Sequence, residues 1–595
     1  MTEVEGGLDE PTELQPEQGA LALADAATDR WTRADWEAEA ARVLRKARRL
    51  GEDDPDELVW QRLTRRTLDG IEVTPLGTPE SVADLATQGR PTRTGPWDVR
   101  AHLGAVGLDA RAGNETLLAD LEGGVTSLWL TLEPGTDLAV LLAGVYLDLA
   151  PVVLDAPGDP VGAARAFLAH LEATEPAAGT NLGVGALAPE DVLLEVVGLA
   201  REAGVLGVVV DATAVHDRGA SDAQELAWSL AAGARVLRVL TGAGVPLAEA
   251  AGLVEFRYAV TDEQFPGIAK LRAARRLWAR LVELSEDVEG EAAAVQQRQH
   301  AVTSRPMMSR YDPYVNMLRT TVAAFAAGVG GAESVTVLPF DSPLGRPEAF
   351  GRRIARNTSH LLIDESHLGK VADLAGGAYA VERLTDDLAR AAWTLLPRLD
   401  AALQDGGVDG LDAVVGELVA ATVAERERQV ATRKRPLTGL TEFPNPAEVL
   451  PEREPDGAWE GVRPYGASFE ALRDAPAPRP VFLATLGTVA AHTARATFAS
   501  NLLAAGGIPV EVAGPTDGPD ALVAAYTAAG SPAVVCLAGS DATYAEWGEQ
   551  ATAALREAGA THVVIAGKPT DHTDDSCAVG VDALAFLTRT REHLA

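Results

Sequence analysis

The sequence predicts an α/β chain with two parallel-sheet domains, a (β/α)8 barrel of the TIM type followed by a smaller flavodoxin-like domain. Three observations carry this. The 595 residues exceed what one domain holds. Residues 95–434 alternate short β-rich runs with longer Ala-rich amphipathic ones, and a parallel repeat of that length favours a barrel over an open sheet. A proline-rich break over 435–480 then precedes a shorter alternation over 481–595.

In chain order, residues 1–30 are acidic and poor in large apolar side chains, which predicts a disordered or partner-wrapping arm. Residues 31–94 read as helix over Trp31–Leu50, helix over Glu57–Leu68 and an extended run from Ile71. In the barrel region Val125–Leu132, Val152–Asp155, Val205–Asp211, Val254–Tyr258 and Ser334–Leu338 are the strand candidates. Glu190–Ala203, Ala223–Ala232, Ile268–Leu284 and Tyr314–Ala327 are the helices between them. Nine prolines between Pro436 and Pro480 predict a linker or an irregular wrapping segment. Beyond it, Val481–Thr485, Pro509–Val512, Ala533–Leu537 and His562–Ala566 predict four buried strands. The helices expected among them are Thr493–Ala505, Pro519–Ala529 and Thr543–Ala558. A ligand crevice in such a domain lies at the strand C-terminal ends, here the loops Leu486–His492 and Gly567–His572.

A net charge of −35 argues against nucleic-acid and membrane-surface partners. Apolar runs such as Leu138–Ala150 are too short to span a bilayer, and no targeting signal is expected. Cys536 and Cys577 show no paired spacing, which fits a reducing cytoplasm. The glycine clusters lack a phosphate-binding pattern, and no zinc spacing or nucleophile elbow occurs.

Three polar clusters remain. Asp211, His216 and Asp217 follow the end of an expected strand, where a barrel places catalysis; alternatively Asp211 caps the loop, and Ser221 or Asp222 caps the next helix. His492 lies beside the second domain's crevice and could ligate cobalt, or could be an ordinary histidine near a helix start. Arg353 and Arg356, one helical turn apart, could clamp an anion or a neighbouring carboxylate.

The run from Arg352 through Arg353-Ile-Ala-Arg356-Asn357 and Glu365 to Asp373-Leu-Ala-Gly376-Gly377 resembles a signature of the methylmalonyl-CoA mutase family. Asp312-Pro-Tyr-Val-Asn-Met-Leu-Arg-Thr-Thr and Ala269-Lys-Leu-Arg-Ala-Ala-Arg-Arg-Leu-Trp-Ala resemble two further blocks, so the resemblance covers residues 60–595. It implies a barrel followed by a cobalamin-type domain, and a radical rearrangement between (R)-methylmalonyl-CoA and succinyl-CoA that uses adenosylcobalamin. The residues that would act in a catalytic chain are replaced. His102 stands at the family's tyrosine position and Ala214 at its barrel histidine position. In the cobalt-ligand motif around His492, Ala490 replaces the aspartate and Arg495 the glycine, with the spacing from Gly487 one residue too long. The resemblance therefore implies the small, non-catalytic subunit of a heterodimeric mutase, with no catalytic residue and no metal ligand of its own. Adenosylcobalamin and acyl-CoA would sit on the large-subunit partner. The alternatives are an active acyl-CoA mutase of altered specificity, with His102 and His216 as substitute groups, and a scaffold or assembly protein of the same fold.

Overall fold

The computed structural model describes residues 31–85, 91, 93–104, 107–171, 174–285 and 296–595, so the expected acidic arm over 1–30 lies outside the described residues. Residues through Gly77 form one compact unit and Thr78–Ala595 another. In the first, the helix Arg33–Lys46 starts at a capping box in which Thr32 and Asp35 satisfy each other's backbone N–H groups. Its Trp36 ring lies 4.7 Å from that of Trp60, tilted 48° to it, over a small core of Ala41, Leu44, Leu50 and Val59. The second expected helix is shorter than its apolar pattern, ending at Leu63, because Arg65–Arg66 pairs antiparallel with Glu72–Val73.

In the second unit eight parallel strands close a barrel: β1 Asp98–Gly104, β2 Ser127–Thr131, β3 Val152–Asp155, β4 Asn181–Gly185, β5 Leu206–Asp211, β6 Val254–Val260, β7 Arg298–Thr303 and β8 Ser334–Thr336. Closure is made by β8 on β1, with Ser334 opposite Asp98 and Val335 opposite Val99. Five of the eight match strands read from the sequence. The other three, β1, β4 and β7, carry polar residues where a parallel strand is ordinarily apolar. β4 is also bulged at Gly183, whose φ is +72° and where an added Cβ would overlap the Leu154 carbonyl, so the position admits only glycine. Outside the barrel, the helices Asp222–Gly242 and Gln264–Leu284 pack against the long Tyr379–Ala431 segment, which breaks at Gly407.

The proline-rich segment wraps rather than links. Arg453 pairs with Asp341 at 2.6 Å, and the Arg346 N–H donates to the Glu454 carbonyl. The Arg463 N–H donates to the Asp217 carbonyl, and the Tyr465 N–H to that of Pro306. These contacts strap the loops at the strand C-terminal ends. Phe469 and Leu440 of the same segment share a core with Tyr311 and the last domain.

That last domain has five parallel strands, β9 Val481–Thr485, β10 Val510–Val512, β11 Val534–Ala538, β12 His562–Ala566 and β13 Asp575–Cys577, in the order β10-β9-β11-β12-β13. Two expectations change. β10 is an exposed edge, with Glu511 and Val512 open to solvent, and β13 is a fifth strand too short to show in the pattern. Among the described residues no helix is long and apolar enough to cross a membrane.

Candidate functional site

Because strand side chains alternate faces, each polar residue two positions from another points the same way, and in a closed barrel one of those ways is inward. β1 supplies Arg100 and His102, β2 Ser127, Trp129 and Thr131, β6 Glu255 and Arg257, β7 Arg298 and His300, and β8 Thr336. They meet in layers. In the lowest, the fully buried Glu255 accepts from Arg100 at 2.8 Å and from Arg298 at 3.2 Å, while Arg100 also donates to Ser127 at 2.8 Å. Burial opposes the Glu255 charge, but the two guanidinium groups outweigh it and hold the carboxyl below its usual range.

Above that layer the Trp129 ring fills the axis. The His102 ring lies 4.0 Å from it, the Arg257 guanidinium 3.8 Å from it, and His300 meets it edge-on at 5.5 Å. Arg257 Nε donates to His300 Nδ1 at 3.1 Å, so His300 is the neutral tautomer, and its Nε2–H donates to Thr336 at 2.7 Å. His102 Nε2 lies 3.0 Å from the Thr131 hydroxyl. Burial first, then neighbouring arginines, push both histidines well below the ordinary imidazole value. At the mouth, Asp211 pairs with Arg257 at 2.6 Å, and Asp155 accepts from Trp129 Nε1 and Thr131 at 3.2 Å each.

The expected Asp211–His216–Asp217 cluster is divided by this arrangement. Residues Thr213–Asp217 form one helical turn, not a loop, which turns His216 inward and leaves Ala214 exposed. His216 is buried between Ser304 at 2.7 Å and Glu225 at 3.1 Å, and Glu225 also accepts from Lys270 at 2.7 Å and from the Ala259 N–H. Asp211 caps Thr213, and Ser221 forms a capping box with Gln224, as their alternative reading has it. Asp217 holds Arg305 at 3.0 Å, and its own carboxyl is pushed up by burial.

In the signature segment, Arg356 and Arg352 both hold the buried Asp120, so the clamped anion is a neighbouring carboxylate. Arg353 does not join them; it is exposed, with its guanidinium 5.4 Å over the Phe350 ring. Asn357 and Glu365 are exposed. Asp373 pairs with Arg272, which also reaches Glu382 at 2.7 Å; the N–H of Gly377, at φ +79°, donates to Glu382 as well. Gly376 lies so close to Asp373 that an added Cβ would sit 2.5 Å from its carboxylate.

At the C-terminal ends of β11 and β12, Arg495 donates to the Gly539 carbonyl at 2.7 Å, pairs with Asp541 and lies 4.8 Å over the Tyr544 ring. The Tyr544 hydroxyl bridges the Gly539 N–H at 2.9 Å and the carbonyls of Leu537 and Ala566 at 3.0 Å. A Cβ on Gly567 would meet both side chains, at 3.5 and 3.6 Å. His492 is buried in the first turn of the helix Val489–Ala505, with no hydrogen-bond partner on Nδ1, and Ala490 is exposed. A cavity of about 480 Å³ beside the second loop is lined by Glu549 and residues 569–572, not by the His492 loop. A cobalt-ligating histidine needs a carboxylate or carbonyl on its other nitrogen. The residues present do not fit a cobalt-bound corrinoid: that partner is absent among the described residues, and Arg495 and Tyr544 occupy the strand ends. Among the described residues no cluster of three metal-ligating side chains occurs.

The inward set Arg100, Trp129, Glu255, Arg257 and His300 escapes the sequence reading. Its signal is a period-two run of polar residues inside otherwise apolar parallel strands.

Comparison with known proteins adds an independent line. A family model described as methylmalonyl-CoA mutase matches residues 203–463. The chain is similar to the methylmalonyl-CoA mutase small subunit of Streptomyces virginiae, 44% identical over 95% of this chain and 97% of that protein. It is 35% identical to the small subunit of Propionibacterium freudenreichii subsp. shermanii, with 95% of each chain covered. Against the small subunit of Porphyromonas gingivalis the identity is 33%, over 86% of this chain and 89% of that one.

Proposed function

The chain belongs to the methylmalonyl-CoA mutase family, and we propose that it serves there as the small, non-catalytic subunit of a two-chain isomerase in the cytoplasm. In this reading the large chain holds adenosylcobalamin and acyl-CoA and interconverts (R)-methylmalonyl-CoA and succinyl-CoA.

The observation that carries the reading is the closed barrel axis. A CoA ester needs an open path to the reacting carbon, and here Trp129 sits between His102 and Arg257, each at about van der Waals contact. The group at one replaced position is apolar, and at the other it is packed on the Trp129 ring. Ala214 ends in a methyl, and His102 is held neutral against Thr131. What this chain's residues do instead is hold a rigid barrel: paired charges inside it, and a strap from Arg453 to Tyr465 across its mouth.

The test is to purify this chain alone, the large chain alone, and the two co-expressed. The expected result is that this chain takes up no cobalamin and turns over no methylmalonyl-CoA, while the co-expressed pair does both. Turnover of any acyl-CoA by this chain with added adenosylcobalamin would instead identify a mutase of altered specificity. A chain that never joins a large chain would identify a free-standing scaffold.

A further inference from the structure

The chain carries five Asp-Gly steps, at Asp69, Asp405, Asp409, Asp456 and Asp517, and no Asn-Gly step. An aspartate before glycine is open to attack on its own carboxyl by the glycine amide nitrogen, because glycine has no Cβ beside that nitrogen and leaves the backbone able to turn. The attack needs a carboxyl without a partner, an amide N–H that no acceptor holds, and a backbone outside a helix. The fold withholds at least one of these at four of the five steps.

At the first, the Gly70 N–H donates to the Thr67 carbonyl at 3.0 Å. Asp405 and Asp409 lie in the segment Tyr379–Ala431, where Gly407 departs from helical dihedrals and neither aspartate does. Helical dihedrals hold the next amide nitrogen turned out of the line of attack. Asp456 caps a short turn, its Oδ1 accepting from the Ala458 N–H at 3.0 Å. Asp517 differs on each count. Its side chain is exposed and has no hydrogen-bond or ion-pair partner among the described residues. The Gly518 N–H has no acceptor among them. Gly518 is extended, at φ 167° and ψ 178°, and precedes the helix Pro519–Ala528. Beyond its chain neighbours, nothing lies within 4 Å of the place a Cβ would take on it.

We propose that Asp517-Gly518 is a site of spontaneous isoaspartate formation in the folded chain. The Gly518 nitrogen attacks Cγ of Asp517, a Cγ–N bond forms and one Cγ–O bond breaks. The oxygen leaves as water, taking the amide hydrogen and one proton from solvent. Water then opens the imide at its α-carbonyl, breaking that C–N bond and returning the proton, so the chain runs on through the former side chain. The product has one more main-chain carbon between two fixed points. On one side the Gly487 N–H donates to the Thr516 carbonyl at 2.9 Å and the Thr516 hydroxyl to that of Thr485 at 2.6 Å. On the other, Leu522 and Tyr526 of the helix are buried in the core. The site lies at the crevice end of the last domain's sheet and owes nothing to the two-chain reading.

The experiment ages the full folded chain at neutral pH, with a parallel sample in concentrated urea. Electron-transfer fragmentation of its peptides distinguishes α-linked from β-linked aspartate at each step. In the folded chain isoaspartate is expected to accumulate at 517 about 10-fold faster than at any of the other four. In urea the five rates should converge to within about 3-fold, because the contacts that separate them are gone. Gly518→Ala, whose methyl meets open space, should keep the wild-type thermal midpoint and slow the reaction at 517 by about 10-fold. Absence of isoaspartate at 517 in the folded chain, or a rate there no greater than at the other steps, overturns the proposal. So does the same preference for 517 in urea, which would put its cause in the local sequence. The wild-type comparison of folded and unfolded chain decides the matter even where the variant fails to fold.

Discussion

The barrel axis and the strand ends at the crevice of the last domain are both occupied by side chains, but by different means. In the axis, charged and aromatic groups from five strands interlock with almost no solvent access: Arg100 and Glu255 are fully buried, and Arg257 is sandwiched against Trp129. In the crevice a single arginine lies over one tyrosine, and its carboxylate partner, Asp541, is 91% exposed. The first closure is part of what holds the fold together; the second is a cover on a domain that has its own core. An interior can thus be filled by interlocking charged and aromatic groups from several strands, or a strand end covered by one side chain.

The largest expected effect is in the axis. Glu255→Ala leaves Arg100 and Arg298 without their buried counter-charge, and should cost about 3–5 kcal/mol, read as a large fall in the calorimetric midpoint or loss of folded protein. A midpoint close to that of wild type would show that the axis is no more critical than the crevice. Next comes pH. The fold holds His102 and His300 neutral, with values below that of the unfolded chain, so their contribution is complete above about pH 6.5 and is lost as pH falls below it. Each should contribute a slope of about 1.4 kcal/mol per pH unit between its unfolded and folded values. Midpoints recorded from about pH 7.5 to 5 should therefore decline, and His300→Gln should flatten the decline. An unchanged slope in that variant would place the titration elsewhere.

In the crevice, Tyr544→Phe removes a hydroxyl shared by three backbone groups and should cost about 0.5–1.5 kcal/mol in denaturant melts. Arg495→Ala should have the smallest effect, within the scatter of surface substitutions, because its partner is exposed to water. If it instead matched Glu255→Ala, the contrast between the two closures would fail.

Much of the architecture is legible in the amino-acid pattern. β3, β9 and β12 coincide with unbroken apolar runs that read as strands, because buried parallel strands are apolar on both faces. β1 and β7 escape that pattern for the converse reason: Arg100, His102, Arg298 and His300 break the run that marks a strand. The candidate site is legible as positions and not as contacts. His102 and Ala214 can be placed by resemblance, but His216 changes meaning because Thr213–Asp217 is a helical turn that buries it against Glu225 and Ser304. His492 changes in the same way, because its helix starts at Val489, four residues before the expected Thr493, and draws the ring inward.

The chain itself is enough to establish that a barrel-type α/β region precedes a second parallel-sheet α/β region, and to show the blocks that mark the family. Those are properties of neighbours in sequence, set by periodicity of two or 3.6 residues and by turn chemistry. Whether a polar side chain becomes a substrate group or a filler is decided only in three dimensions. Arg100 finds Glu255 across 155 positions of sequence, and Arg352 finds Asp120 across 232. No local pattern encodes which strands face each other across a closed barrel, and the burial that makes such pairs obligatory exists only once the barrel has closed.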